Sequence, residues 1–226
     1  MNIAHEPTPH DVFLNVRKAY RLLHDYQRMV LDGIRYIESQ LDISYNGGWI
    51  KYSNRDVKSG YAKLYQSSWD WLPMMWYEFH FLKPHENDTW LSLSFLILSD
   101  TGWLQTDESV TDRENPSDFA QAEKSASKFA FILRKTNWDP LQFMGDKVQM
   151  RDFIKEGGSL PEDFIEKGFV GKCYNMSCLT SVEELDKVID EVIGIAKKNS
   201  WTLECKKKLS EAIQSGTSPM EETKQY

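Results

Sequence analysis

From Met74 to Lys83, and again from Thr89 to Leu98, apolar and polar side chains alternate one by one. Side chains on a strand point to opposite faces with period two. Each stretch therefore reads as a strand, and Pro84-His85-Glu86-Asn87-Asp88 between them reads as the turn of a β-hairpin. Met75, Tyr77, Phe79 and Phe81 share one face of the first strand, and Leu91, Leu93, Phe95 and Ile97 share one face of the second. A five-residue turn predicts Phe81 opposite Leu91, Phe79 opposite Leu93 and Tyr77 opposite Phe95. The same register sets His80 opposite Ser92 and Glu78 opposite Ser94. A slip of one residue would exchange the two faces. The second face, with Trp76, Glu78, His80, Trp90, Ser92 and Ser94, is too polar for an ordinary core and calls for its own explanation.

Upstream the period changes. Val12, Phe13, Val16, Ala19, Tyr20, Leu23, Tyr26, Val30, Ile34, Ile37 and Leu41 recur at three and four, as on one side of an amphipathic helix. Asp11 is the expected N-cap, and Asn46-Gly47-Gly48 is expected to end the element. A helix of this length must cross a whole sheet or pair with another helix, including one from a second chain.

Trp49 to Ser53 suits a short edge strand, and Asn54 to Asp70 suits a loop. Gln105 to Glu123 holds six acidic residues against one Arg, as in an exposed excursion. Lys128 to Lys135 is apolar on both faces and predicts a central strand. Asp139-Pro140 predicts a helix start, with the helix running to Glu156, and Gly168 to Met176 predicts a fourth strand. Thr180 to Glu184 holds two overlapping capping-box spacings ahead of a strong helical stripe. A last helix is expected from Ser200 to about Gln214.

These elements predict an α+β fold. A mainly antiparallel or mixed sheet of four to five strands packs against the long N-terminal helix and the C-terminal helices. Residues 1–10 are expected as a flexible leader, 11–214 as a single domain and 215–226 as a disordered tail.

Composition narrows the function classes. The net charge of −7 argues against a nucleic-acid binder, because neutralising phosphates supplies most non-specific affinity. Lys206-Lys207-Lys208, with Lys197 and Lys198, reads as a solvated helix face. No apolar run reaches the length of a membrane span. The first ten residues lack the basic start and apolar stretch of a secretory signal. Three Cys without framework spacing, Cys173, Cys178 and Cys205, suit reduced thiols, and the expected location is cytoplasmic.

Candidate chemistry is sparse. Glu78 and His80 share a strand face, and Asp100 follows on the next turn. A carboxylate and an imidazole together suit a divalent metal or general acid–base work. Glu78, His80 and Asp100 are thus the catalytic candidates, and Glu78 and His80 the metal candidates, of a metal-dependent hydrolase or nuclease. The nuclease pattern of a helix Glu, here Glu38, with strand acids lacks its Glu-x-Lys, since the second strand reads Ser92-Leu93-Ser94. No phosphate-cradling glycine loop or nucleophile elbow occurs, and no cofactor is implied.

Eight Trp supply more stacking surface than a core of this size requires. Trp69, Trp71, Trp76, Trp90 and Trp103 are the binding candidates, lining a groove for a peptide, ligand or partner. The leading expectation is a non-enzymatic interaction protein with an aromatic-rich surface. It would bind a protein partner or self-associate through the long helix. A small-ligand sensor is a further alternative.

Overall fold

The computed structural model describes residues 9–51, 76–104, 119–136, 148–157, 160 and 162–206. Helix α1 spans Pro9–Gln40, and strands β1 (Ser44–Lys51), β2 (Trp76–His85), β3 (Thr89–Leu98) and β4 (Lys128–Thr136) follow. Then come α2 (Val148–Glu156), α3 (Glu162–Glu166), β5 (Val170–Asn175) and α4 (Val182–Lys198). The five strands lie side by side in chain order, each antiparallel to the next. The fold is α+β, with a five-stranded antiparallel sheet between helical layers.

The hairpin is present, and its register differs from expectation by two residues. Phe81 pairs with Leu93, Phe79 with Phe95, Tyr77 with Ile97, and His80 with Ser94. The turn is shorter than five residues. His85 and Thr89 still pair, and Glu86-Asn87-Asp88 alone makes the reversal. Asn87 (φ 55°) and Asp88 (φ 56°) take the left-handed conformation, which Asn and Asp tolerate best among residues with a side chain. Turn length fixes register. Because the shift is two and not one, every side chain keeps its face.

The first face of the sheet holds Tyr77, Phe79, Phe81, Leu93, Phe95, Ile97, Phe129, Phe131 and Leu133 in one core. Val30, Leu31, Ile34 and Ile37 of α1 and Leu185, Val188, Ile189 and Val192 of α4 close over it. Each such side chain contributes on the order of 1.5–3 kcal/mol by leaving water. Ser181 caps α4, its hydroxyl accepting the Glu184 backbone N–H at 3.2 Å. Of the two overlapping capping spacings, the second is used.

Helices also lie on the other face. Met150, Phe153 and Ile154 of α2, Leu160, Phe164 of α3 and Phe169 pack on Trp76, Leu96, Leu98, Ala130 and Ile132. Strand β4 is apolar on both faces for this reason, as its sequence predicts.

Two local expectations are corrected. Asn46-Gly47-Gly48 does not terminate the helical element but lies inside β1, where a bulge falls between Tyr45 and Gly47 and Gly47 takes φ 123°. Residues 201–205 are not helical. Leu41 bridges to Cys205, and the Glu204 N–H donates to Asp42 Oδ1 at 3.0 Å. The loop from Asn54 to Asp70, the acidic stretch over 105–118, residues 139–147 and the tail over 215–226 lie outside the described residues, as do residues 1–8 of the leader.

Candidate functional site

Strand pairing assembles a polar row on the second face. Trp76, Glu78 and His80 alternate along β2, and Ser94 faces His80 from β3. The Trp76 indole N–H donates to Glu78 Oε1 at 2.7 Å. Glu78 Oε2 lies 3.1 Å from His80 Nε2, an ion-pair distance without the alignment of a linear hydrogen bond. His80 Nδ1 lies 2.7 Å from Ser94 Oγ. Trp76, Glu78 and His80 are 0% exposed and Ser94 is 1% exposed. An uncompensated buried charge is expensive, and here each polar atom has a neighbour of complementary character. The row has the composition of a nucleophile–base–acid chain, but no substrate can reach it as it stands. Its contacts join β2 to β3 inside the sheet.

Asp100 does not join this row. Its Oδ1 accepts the Gly102 N–H at 2.7 Å, capping a turn. Glu78 pairs with Leu96 and His80 with Ser94, so along β3 Asp100 lies about 13 Å and about 20 Å beyond them. Glu38 works elsewhere, its Oε1 accepting the Tyr45 N–H at 3.2 Å. Among the described residues no three His, Cys, Asp or Glu side chains converge as metal ligands. Burial pushes the Cys173 thiol up and the Cys178 thiol up to about 12, away from the thiolate form that a nucleophile or metal ligand requires.

The tryptophan candidates separate. Trp76 is fully buried, so it contributes no binding surface. Trp90 is 39% exposed near the hairpin end. Trp69 and Trp71 lie outside the described residues, and the side chain of Trp103 is likewise outside them. The expected aromatic surface is thereby reduced to Trp90 among the described side chains.

Among the described residues, the most exposed apolar surface is on α1. Phe13, Val16, Tyr20 and Leu23 are 62%, 44%, 54% and 45% exposed. They lie on the stripe that, about two turns past Leu23, is buried as Val30, Ile34 and Ile37. From Phe13 to Ile37 the spacing alternates three and four without a break, through Val16, Tyr20, Leu23, Gln27, Val30 and Ile34. The helix thus carries its core-facing stripe past the body of the fold. Where the stripe enters the core, the Tyr26 hydroxyl lies 3.1 Å from Ser99 Oγ. Gln27, one residue on, is 0% exposed, and neither its amide oxygen nor its nitrogen has a hydrogen-bond partner. Gln27 is polar, so apolar periodicity alone does not pick it out. Its place on the three–four pattern was the available signal.

The exposed half of α1 is basic, with Arg17, Lys18 and Arg21 against Asp11. Beyond it, an open groove of about 500 Å³ runs between α1 and the start of α4. Met29, Val182 and Leu185 give it an apolar floor, and Asp25, Asp32 and Arg28 stand along it. Tyr36 crosses its far end and donates to Asp186 at 2.7 Å, a bond that pushes the Tyr36 hydroxyl up to about 12. No helix among the described residues is long and apolar enough to cross a membrane.

Residues 7–203 match the family described as PM0109, and the chain belongs to that family. Neither the curated proteins nor the solved structures contain a match to the chain.

Proposed function

We propose that this member of the PM0109 family is a non-enzymatic interaction protein of the cytoplasm, and that it docks through the N-terminal half of α1. The carrying observation is the run of exposed apolar side chains at Phe13, Val16, Tyr20 and Leu23, in line with a stripe that is otherwise core. Surface hydrophobes scattered singly need no explanation, whereas a continuous row favours a partner. An amphipathic helix offering anchors at three–four spacing is a recurring docking element. The buried state of Glu78 and His80 and the separation of Asp100 weigh against the hydrolase reading. The loss of Trp76 from the surface weighs against an aromatic ligand pocket built on it.

The test places a photo-crosslinking amino acid at Val16 in living cells, with Glu86 at the hairpin turn as the control position. Adducts form at position 16 and not at 86, and Tyr20→Asp together with Leu23→Asp removes them. No adduct from position 16, 20 or 23 overturns the proposal.

A further inference from the structure

The exposed half of α1 and the groove beside α4 are complementary. The arm presents Phe13, Val16, Tyr20 and Leu23 as an apolar row, with Arg17, Lys18 and Arg21 around the rest of its surface. The groove presents Met29, Val182 and Leu185 as an apolar floor, and Val182 is 51% exposed. Its charges have the opposite balance. Asp25 and Asp32 stand against Arg28, and the first turns of α4 add exposed Glu183, Glu184 and Asp186 against Lys187. Asp32 is shared with Arg28 and Arg35, and Lys187 is paired with Glu184. The positive end of the α4 dipole is met by the Ser181 cap and by Glu183 and Glu184. The surroundings of the groove therefore remain acidic.

Lengths agree as well. At about 1.5 Å per residue, Phe13 to Leu23 spans about 15 Å, and the stretch of α1 along the groove, Asp25 to Tyr36, spans about 16 Å. The arm cannot fill the groove of its own chain, because both lie on one unbroken helix, Pro9–Gln40. The occupant has to come from another molecule.

We propose that the arm of one copy lies in the α1–α4 groove of a second copy. This rests on the reading of α1 as the docking element and names its partner. The contact joins two different surfaces, so it is heterologous: it closes into a ring or continues head to tail. Pairing of two arms stripe to stripe is less favourable. It would set basic helices against each other and bury only two heptads, whose area falls in the weak class.

Sedimentation velocity on the full chain across the micromolar range tests this. The wild type associates with rising concentration, and association weakens as salt is added. Leu23→Glu damages the arm, and Asp25→Arg with Val182→Arg damages the groove. All three side chains are exposed, and each variant alone weakens association about tenfold or more. An equimolar mixture of the two variants recovers a pair of exactly two chains, since one intact groove meets one intact arm. A groove variant that associates like the wild type, or a mixture that stays monomeric, overturns the inference. A wild type that remains monomeric while position 16 crosslinks to a different protein overturns it too, and leaves the docking reading standing. A monomer without crosslinks overturns both.

Discussion

Gly48 on β1 lies directly against the backbone of Glu78 on β2. A Cβ added at Gly48 would stand 2.1 Å from the Glu78 carbonyl oxygen, and 3.3 Å from the Tyr77 hydroxyl. No flexible side-chain tip can give way there, because the obstacle is backbone. Gly48→Ala therefore forces β1 away from β2 and lowers stability by several kcal/mol, toward the upper range of single substitutions, about 4–5 kcal/mol. Gly194 in α4 has nothing within 4 Å of an added Cβ. Gly194→Ala stabilises by about 0.5–1 kcal/mol through helix propensity. Urea midpoints of the two variants move in opposite directions, and a harmless Gly48→Ala would show that the strands are farther apart than described.

The polar row is expected to behave as a brace. His80→Ala leaves the Glu78 carboxylate in the sheet without its imidazole, and removing one partner of a buried pair costs about 3–5 kcal/mol. Trp76→Phe removes the indole donor from Glu78 Oε1, and losing a hydrogen bond to a charged group costs about 1.5–3 kcal/mol. Denaturant unfolding measures both. Variants of undiminished stability would restore Glu78 and His80 as candidates for chemistry.

Gln27 offers the reverse case. Its buried amide has no hydrogen-bond partner, so it bears desolvation without return. Gln27→Met keeps the volume and the three–four pattern. It raises stability by about 1–3 kcal/mol. A lower midpoint would mean that the amide is satisfied, for instance by an ordered water.

Glu191 links β5 to α4. Burial pushes its carboxyl up, but hydrogen bonds from Lys172 and Tyr174 outweigh this and hold it below the usual range. The Tyr174 hydroxyl donates to Oε2 at 2.6 Å. A carboxylate whose pKa is lowered by folding adds stability above its ordinary pKa, and that stability is lost as pH falls through the folded value. Glu191→Gln is thus less stable than the wild type at pH 7, and the two converge in acid. Melting curves over the acid range check this, and a difference that persists unchanged to the lowest pH would contradict it.

Much of the fold is legible in the chain. Alternation identifies β3 as Thr89–Leu98 without error, and the three–four stripe locates α1, although the helix begins at Pro9 and Asp11, expected as its N-cap, lies inside its first turn. The second face of β2 is misjudged because periodicity tells which side chains point together, not what covers them. Register fails by two because alternation is blind to even shifts, and the turn alone decides among them. Asn46-Gly47-Gly48 reads as a breaker, yet Gly48 is required by the close approach of Glu78, and no local pattern reveals a neighbour thirty residues away. Ser94 was visible as a serine facing the row, but the pairing with His80 needed the true turn length.

The Asp42–Glu204 hydrogen bond joins residues 162 positions apart, and Lys206 Nζ reaches the Glu38 carbonyl at 3.0 Å. During synthesis each strand meets its predecessor almost as soon as it emerges, since spatial order follows chain order. The first element made has no such luck. Helix α1 waits for α4 to cover its flank and for residues 203–206 to fasten its C-terminal end, and both follow the whole sheet in the chain. A chain cut before Thr180 keeps all five strands of the meander and lacks both α4 and the residues that fasten α1. Helix α4 and residues 203–206 thus act as a latch on the first helix.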